Sequence, residues 1–178
     1  MSNHYPEMVI EKNNMGRLQQ LAIIMRVYVT PVMEQIGHDL TRKAVNAIEF
    51  QTPPGGGQWE SLSPRYVSWK KRKGYSTNLF TMTSTYMQNI THVYNPATMT
   101  LEVGLFRGVM HPGIKGIKPK ELWNIAEILE FGKASLHIPA RPLWRPLLED
   151  NDHAIRTKIG IAISQALKYT ARYAGGLP

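Results

Sequence analysis

"EFGKASLHIPARPLWRPLLED", residues 130–150, is the stretch on which the reading of this chain turns. It begins like a phosphate loop, with Gly132-Lys133, and then departs from one. A Walker-type loop sets two spaced glycines before the lysine and Ser or Thr directly after it, so that amides and a hydroxyl hold phosphate and magnesium. Here Ala134 follows Lys133, and the pattern before Gly132 is helical instead of strand-like. What remains is mechanical. Ile138-Pro139-Ala140-Arg141-Pro142 is a rigid corner, because each proline fixes its own φ and pushes the preceding residue to an extended form. Arg141, bracketed by prolines, becomes a preorganised fork for a carboxylate or a carbonyl. Two readings follow. In one, Arg141 pairs internally with an acidic residue such as Glu130, and the corner seats the last helix on a sheet. In the other, Arg141 contacts a neighbouring subunit. Leu143 and Trp144 insert as the chain enters that helix.

Outward from the corner, the hydrophobic spacing predicts the remaining elements. Leu18, Leu21, Ala22, Met25 and Val29 mark a helix over 15–29, and Thr30-Pro31 predicts a kink or fresh start. Met33, Ile36, Leu40, Ala44, Ala47 and Ile48 then mark an amphipathic helix to about Phe50. "QTPPGGGQ", 51–58, reads as a mobile loop. Ser63-Pro64 is an N-cap and first helical residue, opening a short helix that Gly74 stops. In it Tyr66, Val67 and Trp69 need cover, whereas Lys70, Lys71, Arg72 and Lys73 do not. A short helix is expected over 84–88. "NITHVYN" and "MTLEVGL" alternate and flank Asn95-Pro96-Ala97-Thr98, an antiparallel hairpin. Residues 107–120 form a Gly/Pro/Lys loop, and 121–130 a helix ended by Gly132. "SLHIP" is strand-like. The last helix starts near Pro146 with Leu148, Ile155, Ile159, Ala162, Ile163, Ala166 and Thr170 on one stripe. Acidic residues open it and cations close it, both opposing the helix dipole.

The chain has 178 residues, 43% of them hydrophobic, which is enough for one domain over 1–178. Within it, 1–14 reads as an N-terminal extension and 174–178 as a tail. The fold class expected is α+β: long N- and C-terminal helices packed on a small antiparallel sheet. There are no cysteines, which removes disulfides and thiolate zinc sites and fits a reducing compartment. No segment approaches the ~18 apolar residues of a membrane span, and the first residues lack the order of a signal peptide.

A net charge of +8 permits nucleic acid or an acidic protein surface as partner. "WKKRK", 69–73, would grip phosphate with Lys70, Lys71, Arg72 and Lys73 and stack a base on Trp69. Lys115, Lys118 and Lys120 would add to that grip. Helical neighbours point different ways, however, so a solvated face or an acidic neighbour fits this run better. The six histidines show no i, i+4 pair and no His-Glu-x-x-His frame, so no metal site is expected. No Gly-x-Ser-x-Gly elbow is present. No catalytic residue and no cofactor is assigned, and the expectation is a protein that is not an enzyme.

The order of motifs resembles the tailed-phage minor tail and neck family that contains the lambda-type tail-completion proteins and the Mu-like virion morphogenesis proteins. That pattern has an N-terminal helix with alanines, a Trp-x-x-Leu-Ser-Pro segment followed by lysines, a Leu-x-x-Thr-Gly-x-Leu-x-x-Ser-Ile segment, a hairpin, a helix ending Tyr-Ala-x-Ile-x-Glu-Phe-Gly, and an Ile-Pro-Ala-Arg-Pro-Phe corner. Trp59, Leu62, Ser63, Pro64 and Lys70 to Lys73 match the first segment. Ala126, Ile128, Glu130, Phe131 and Gly132 match the helix end, and Ile138, Pro139, Ala140, Arg141 and Pro142 the corner about six residues on. The resemblance spans roughly 30–170. Leu143 replaces the usual Phe, and Ser84 stands where Gly is expected between Leu79, Thr83, Tyr86 and Ile90. The stretch 111–120 lies outside the pattern.

The resemblance implies a structural virion protein that completes or terminates the tail. Copies would form a ring, commonly hexameric, between the tail tube protein and the head–tail connector or adaptor proteins. Phage DNA would pass through its lumen without sequence-specific binding, and no membrane is involved. The location implied is the neck of the virion, after assembly in the host cytoplasm. The interface would use the corner from Glu130 to Trp144, the loops 51–58 and 107–120, and Trp59, Trp69, Trp123 and Trp144 as anchors. Most lysines would face protein or solvent and not the channel axis. A basic nucleic-acid-binding module is the alternative.

Overall fold

A computed structural model describes residues 12–111 and 118–174. Two long helices dominate. Helix α1 spans Lys12–Glu49 and α5 spans Trp144–Ala174. Between them lie α2 (Pro64–Arg72), α3 (Thr85–Gln88) and α4 (Leu122–Phe131). Strands β1 (Thr91–Asn95) and β2 (Thr100–Gly104) form an antiparallel hairpin in which Val93 faces Glu102. A second antiparallel pair joins β3 (Met110–His111) and β4 (Lys120–Glu121). The architecture is α+β, as the sequence implies. No helix among the described residues is long and apolar enough to cross a membrane.

Helix α1 does not restart at Pro31. It runs through that residue without interruption, and at its N-terminus it takes in residues 12–14, read above as extension. A proline in a helix leaves the carbonyl four residues earlier without a donor. Here that position is Val27, which is 65% exposed, so water can supply the missing bond.

The core lies along α1. Val29, Ile36, Leu40, Ala44, Ala47 and Ile48 are buried on one stripe; from Ile36 on they share a cluster with Leu147 of α5, whose Ala162 and Ala166 are buried as well. The two helices are antiparallel: Lys43 reaches Asn151, Asp39 reaches Lys158 at 2.8 Å, and Tyr28 meets Tyr169. The Lys158 hydrogen bond, with Arg42 assisting, holds the Asp39 carboxyl below its ordinary range. Ala44, Ala162 and Ala166 are fully enclosed and keep the helices close. The expected stripe of α5 is the inward one from Ile155 to Thr170, and only its first member, Leu148, departs from it. The helix starts two residues before Pro146, with Leu147 buried and Leu148 facing water.

The β1–β2 hairpin packs on another side of α1. His92 of β1 lies directly over Gly37, whose Cβ position would fall 2.4 Å from the imidazole. Glycine is required there for the hairpin to dock. Helix α5 therefore packs chiefly along α1, not on the sheet as expected. Helix α1 is the spine shared by both.

Three further expectations change. The 51–58 loop is anchored: Pro53 is buried, the Gln51 amide bonds both backbone groups of Leu79, and the Gly55 N–H donates to Asp150 at 2.5 Å. "SLHIP" is a 3-10 turn over Ala134–Leu136, with only Lys133 and Ile138 bridged as strands are. Lys70 is buried, although its neighbours Lys71, Arg72 and Lys73 are exposed.

Two stability predictions follow from backbone geometry. Gly37→Ala gains helix propensity of about 1 kcal/mol but collides with His92, at a typical overpacking cost of ~1–3 kcal/mol. The net effect expected is a lower melting temperature. Ser84, where the family pattern has Gly, sits at φ +58° in the left-handed region. A non-glycine residue there is strained by roughly 1–2 kcal/mol, so Ser84→Gly is expected to raise stability by up to about 1 kcal/mol in a denaturant titration.

Candidate functional site

The corner marked by the sequence is a clasp joining three segments: 59–61, 129–133 and 138–145. Its centre is the Glu130 carboxylate. Oε2 accepts the backbone N–H groups of Leu143 at 2.7 Å and Trp144 at 3.0 Å, and Oε1 accepts that of Arg145 at 3.0 Å. These are amides that open α5 and have no partner within the helix. The charge also faces the positive end of the helix dipole. In return, the Arg141 N–H donates to the Leu129 carbonyl at 2.6 Å, near the C-terminus of α4. Each helix end thus satisfies the other.

Gly132 makes the fold-back feasible. Its φ is +74°, and a Cβ there would lie 2.8 Å from the Ala140 nitrogen. The chain then turns through Ala134–Leu136 and returns, with Lys133 and Ile138 exchanging backbone hydrogen bonds at 2.7 and 3.1 Å. Pro139 and Pro142 fix the path into α5.

Arg141 does not pair with Glu130. Its guanidinium donates from Nε to the Glu60 carbonyl at 2.7 Å and from Nη2 to the Ser61 carbonyl at 3.1 Å. The carbonyl alternative holds because both Glu130 oxygens are taken by amides. Burial pushes the guanidinium below its ordinary pKa, while the charge of Glu60 works the other way. Beside it, the Trp59 indole N–H donates to the Pro142 carbonyl at 2.9 Å. Trp59 is a buried core residue and not an exposed anchor. Leu143, which replaces the family's Phe, is fully buried. Of the motif's large apolar side chains, Phe131 stands out, 69% exposed.

The clasp forms one wall of a cleft of about 640 Å³. Tyr66, Phe80, Tyr86, Leu122, Ile125 and Leu129 give it an apolar lining. Lys70, Lys118, Lys120 and Arg141 also line it, and Glu60 is the one carboxylate among the described lining residues. Lys70 Nζ donates to the Asn78 carbonyl at 2.9 Å, and burial lowers the pKa of its ammonium. Thr83 and His111 share a 2.8 Å hydrogen bond there.

The other residues named from sequence scatter. Lys71 and Arg72 on α2 and Lys73 at its C-cap are exposed, away from the inward-turned Lys70. Trp69 packs with Tyr66 and Tyr75. Trp123 carries the Arg107 guanidinium 4.8 Å above its ring, and Trp144 is half-buried. Lys115 lies outside the described residues. The sequence reading also missed the carboxylate–histidine pair Glu34/His38, four residues apart on α1, which His92 joins from β1. A search for histidine pairs alone passes over it.

An antiparallel helix pair, a hairpin on its flank and a two-way clasp at one end define the architecture. The chain belongs to the phage virion morphogenesis family, which it matches over residues 12–167. Membership gives it a role in building the phage virion. No curated protein and no solved structure matched it.

Glu130→Gln keeps the shape but removes the charge and one acceptor oxygen, leaving an amide of α5 unpaired. Hydrogen bonds to charged groups contribute ~1.5–3 kcal/mol, so a loss of that size is expected in chemical denaturation. The same change at exposed Glu127 should cost less than about 0.5 kcal/mol.

Proposed function

We propose that this protein completes the tail of a tailed phage, as a closed ring of copies in the neck between tail tube and head connector. The family supports a virion role; the placement of exposed apolar side chains supports the ring. A ring needs a heterologous contact, in which one patch on each copy binds a different patch on the next. Two such patches lie at opposite ends of the α1–α5 pair.

The first is on α1. The antiparallel pairing brings the C-terminal end of α5 alongside residues near 23, so residues 12–22 extend past it as an arm of roughly 16 Å. Leu18 continues the stripe of Met25, Val29 and Ile36 in seven- and four-residue steps, yet it is 53% exposed. The described part of α5, which reaches Ala174, stops short of it. Ile23 and Val27 add 60% and 65% exposed side chains on the other side. The second patch is on the clasp, where Phe131 and Leu136 are exposed beside the N-terminus of α5. The carrying observation is this separation of two apolar ends by the length of α5, about 46 Å at 1.5 Å per residue.

In this reading the corner from Glu130 to Trp144 works as a brace that presents Phe131, and its arginine serves the fold. The protein carries out no catalysis and needs no cofactor. Lys71, Arg72 and Lys73 face solvent or an acidic partner.

Sedimentation and negative-stain imaging, with and without tail-tube and connector proteins, test this. Leu18→Glu and Phe131→Glu should each abolish rings without changing the helical circular dichroism. Mixed in equal amounts, they should form pairs that cannot close, since each variant keeps one intact patch. Rings that survive both substitutions would defeat the proposal. Retention of duplex DNA with a steep salt dependence, lost in a Lys71→Glu/Arg72→Glu/Lys73→Glu variant, would favour the nucleic-acid-binding alternative.

A further inference from the structure

We propose that Glu34, His38 and His92 form a binding site for a borderline divalent cation of the Zn2+ type, bridging α1 and the β1–β2 hairpin. Glu34 and His38 are four residues apart and share one face of α1. His92 arrives from β1, in the space that Gly37 leaves open. Their donor atoms all lie within 4.8 Å of one another. The Glu34 Oε2 and His92 Nε2 atoms are 3.3 Å apart. Two ligands at about 2.1 Å from one tetrahedral ion are separated by roughly 3.4 Å, so this spacing needs almost no rearrangement. The His38 and His92 rings meet edge-on with centroids 4.4 Å apart, so a small turn of the exposed His38 brings in its nitrogen.

A second-sphere partner is in place. Thr41 Oγ1 lies 3.3 Å from His92 Nδ1. With the Nδ1 proton donated to Thr41, Nε2 carries its lone pair toward the Glu34 carboxylate. In that tautomer a cation between Nε2 and the carboxylate is bound by both, whereas in the other tautomer Thr41 donates to Nδ1 and Nε2–H donates to Glu34. Metal-bound histidines are oriented in the first way by a hydrogen bond at the other ring nitrogen. The site is reached from water, because the Glu34 side chain is 46% exposed while that of His92 is 11% exposed. Two imidazoles and one carboxylate suit Zn2+, Co2+, Ni2+ or Cu2+ and not Ca2+ or Mg2+, which need oxygen ligands. Three protein ligands leave a fourth position for water. The consequence for the molecule is a cross-link between helix and hairpin, independent of whether copies form rings.

The test uses the full chain, stripped with a chelator and titrated with ZnCl2 by calorimetry, with Co2+ absorption as a second readout. One equivalent of Zn2+ should bind and raise the melting temperature, and the chelator should reverse both. His38→Ala, at an exposed position that leaves the fold intact, should weaken binding at least tenfold, as should Glu34→Gln. Thr41→Val should weaken it about 10–100-fold, the usual cost of losing a second-sphere partner. Co2+ should give the visible band of a low-symmetry site in the wild type and lose it in His38→Ala. The proposal is overturned if no stoichiometric binding occurs, since a proton then holds His92 and Glu34 together. It is equally overturned if binding is unchanged in His38→Ala and Glu34→Gln, since Zn2+ then sits on other histidines.

Discussion

The structure depends on one carboxylate. Glu130 ends α4 and accepts three amides that begin α5, so its two oxygens set the position and direction of a 31-residue helix. The first amides of a helix have no internal partner, and in a buried setting each would cost a good part of a hydrogen bond. A charged acceptor meeting all three, at the positive end of the helix dipole, is a strong local arrangement. The rest of the corner serves it. Gly132 lets the chain fold back, the prolines fix the return path, and Arg141 and Trp59 fasten the 59–61 segment over it.

Helix α1 turns this local constraint into a molecule. One side receives α5 along alanines and β-branched residues; another receives the hairpin at Gly37, where a Cβ would collide with His92. Because α5 is held at its start by the clasp, its register along α1 is fixed over its full length, down to Lys158 on Asp39 and Tyr169 beside Tyr28. That register also decides where the pairing stops, and hence which apolar residues of α1 are left uncovered. Leu18 is exposed, and α5 as described, to Ala174, lies alongside α1 only from about residue 23 onward.

The positive charge of the chain is not one patch. Lys70 and Arg141 are both buried at the cleft and both bonded to carbonyls, while Lys71, Arg72 and Lys73 stay in water. A basic run in sequence thus divides between a structural role and a solvated face within a single helical turn. For a virion component the division matters, because only the outward cations can meet a neighbouring protein or DNA.

Local physics made much of this fold legible from sequence. Helical spacing, the Ser63-Pro64 start, the Gly132 stop and the alternation around Asn95-Pro96 each specify an element through its own neighbours, and those elements are where the sequence placed them. The stiffness of the Pro139–Pro142 corner was legible for the same reason. What it was fastened to was not. Whether Arg141 takes a carboxylate or a carbonyl depends on what else competes for Glu130, and the competitors are amides of a helix whose phase that very contact sets. Burial of Lys70, the uninterrupted course of α1 through Pro31 and the meeting of Glu34, His38 and His92 likewise depend on distant chain. Sequence fixes what each residue can bond to; only the tertiary fold decides which partner reaches it first, because in a close-packed interior each donor and acceptor is shared out once.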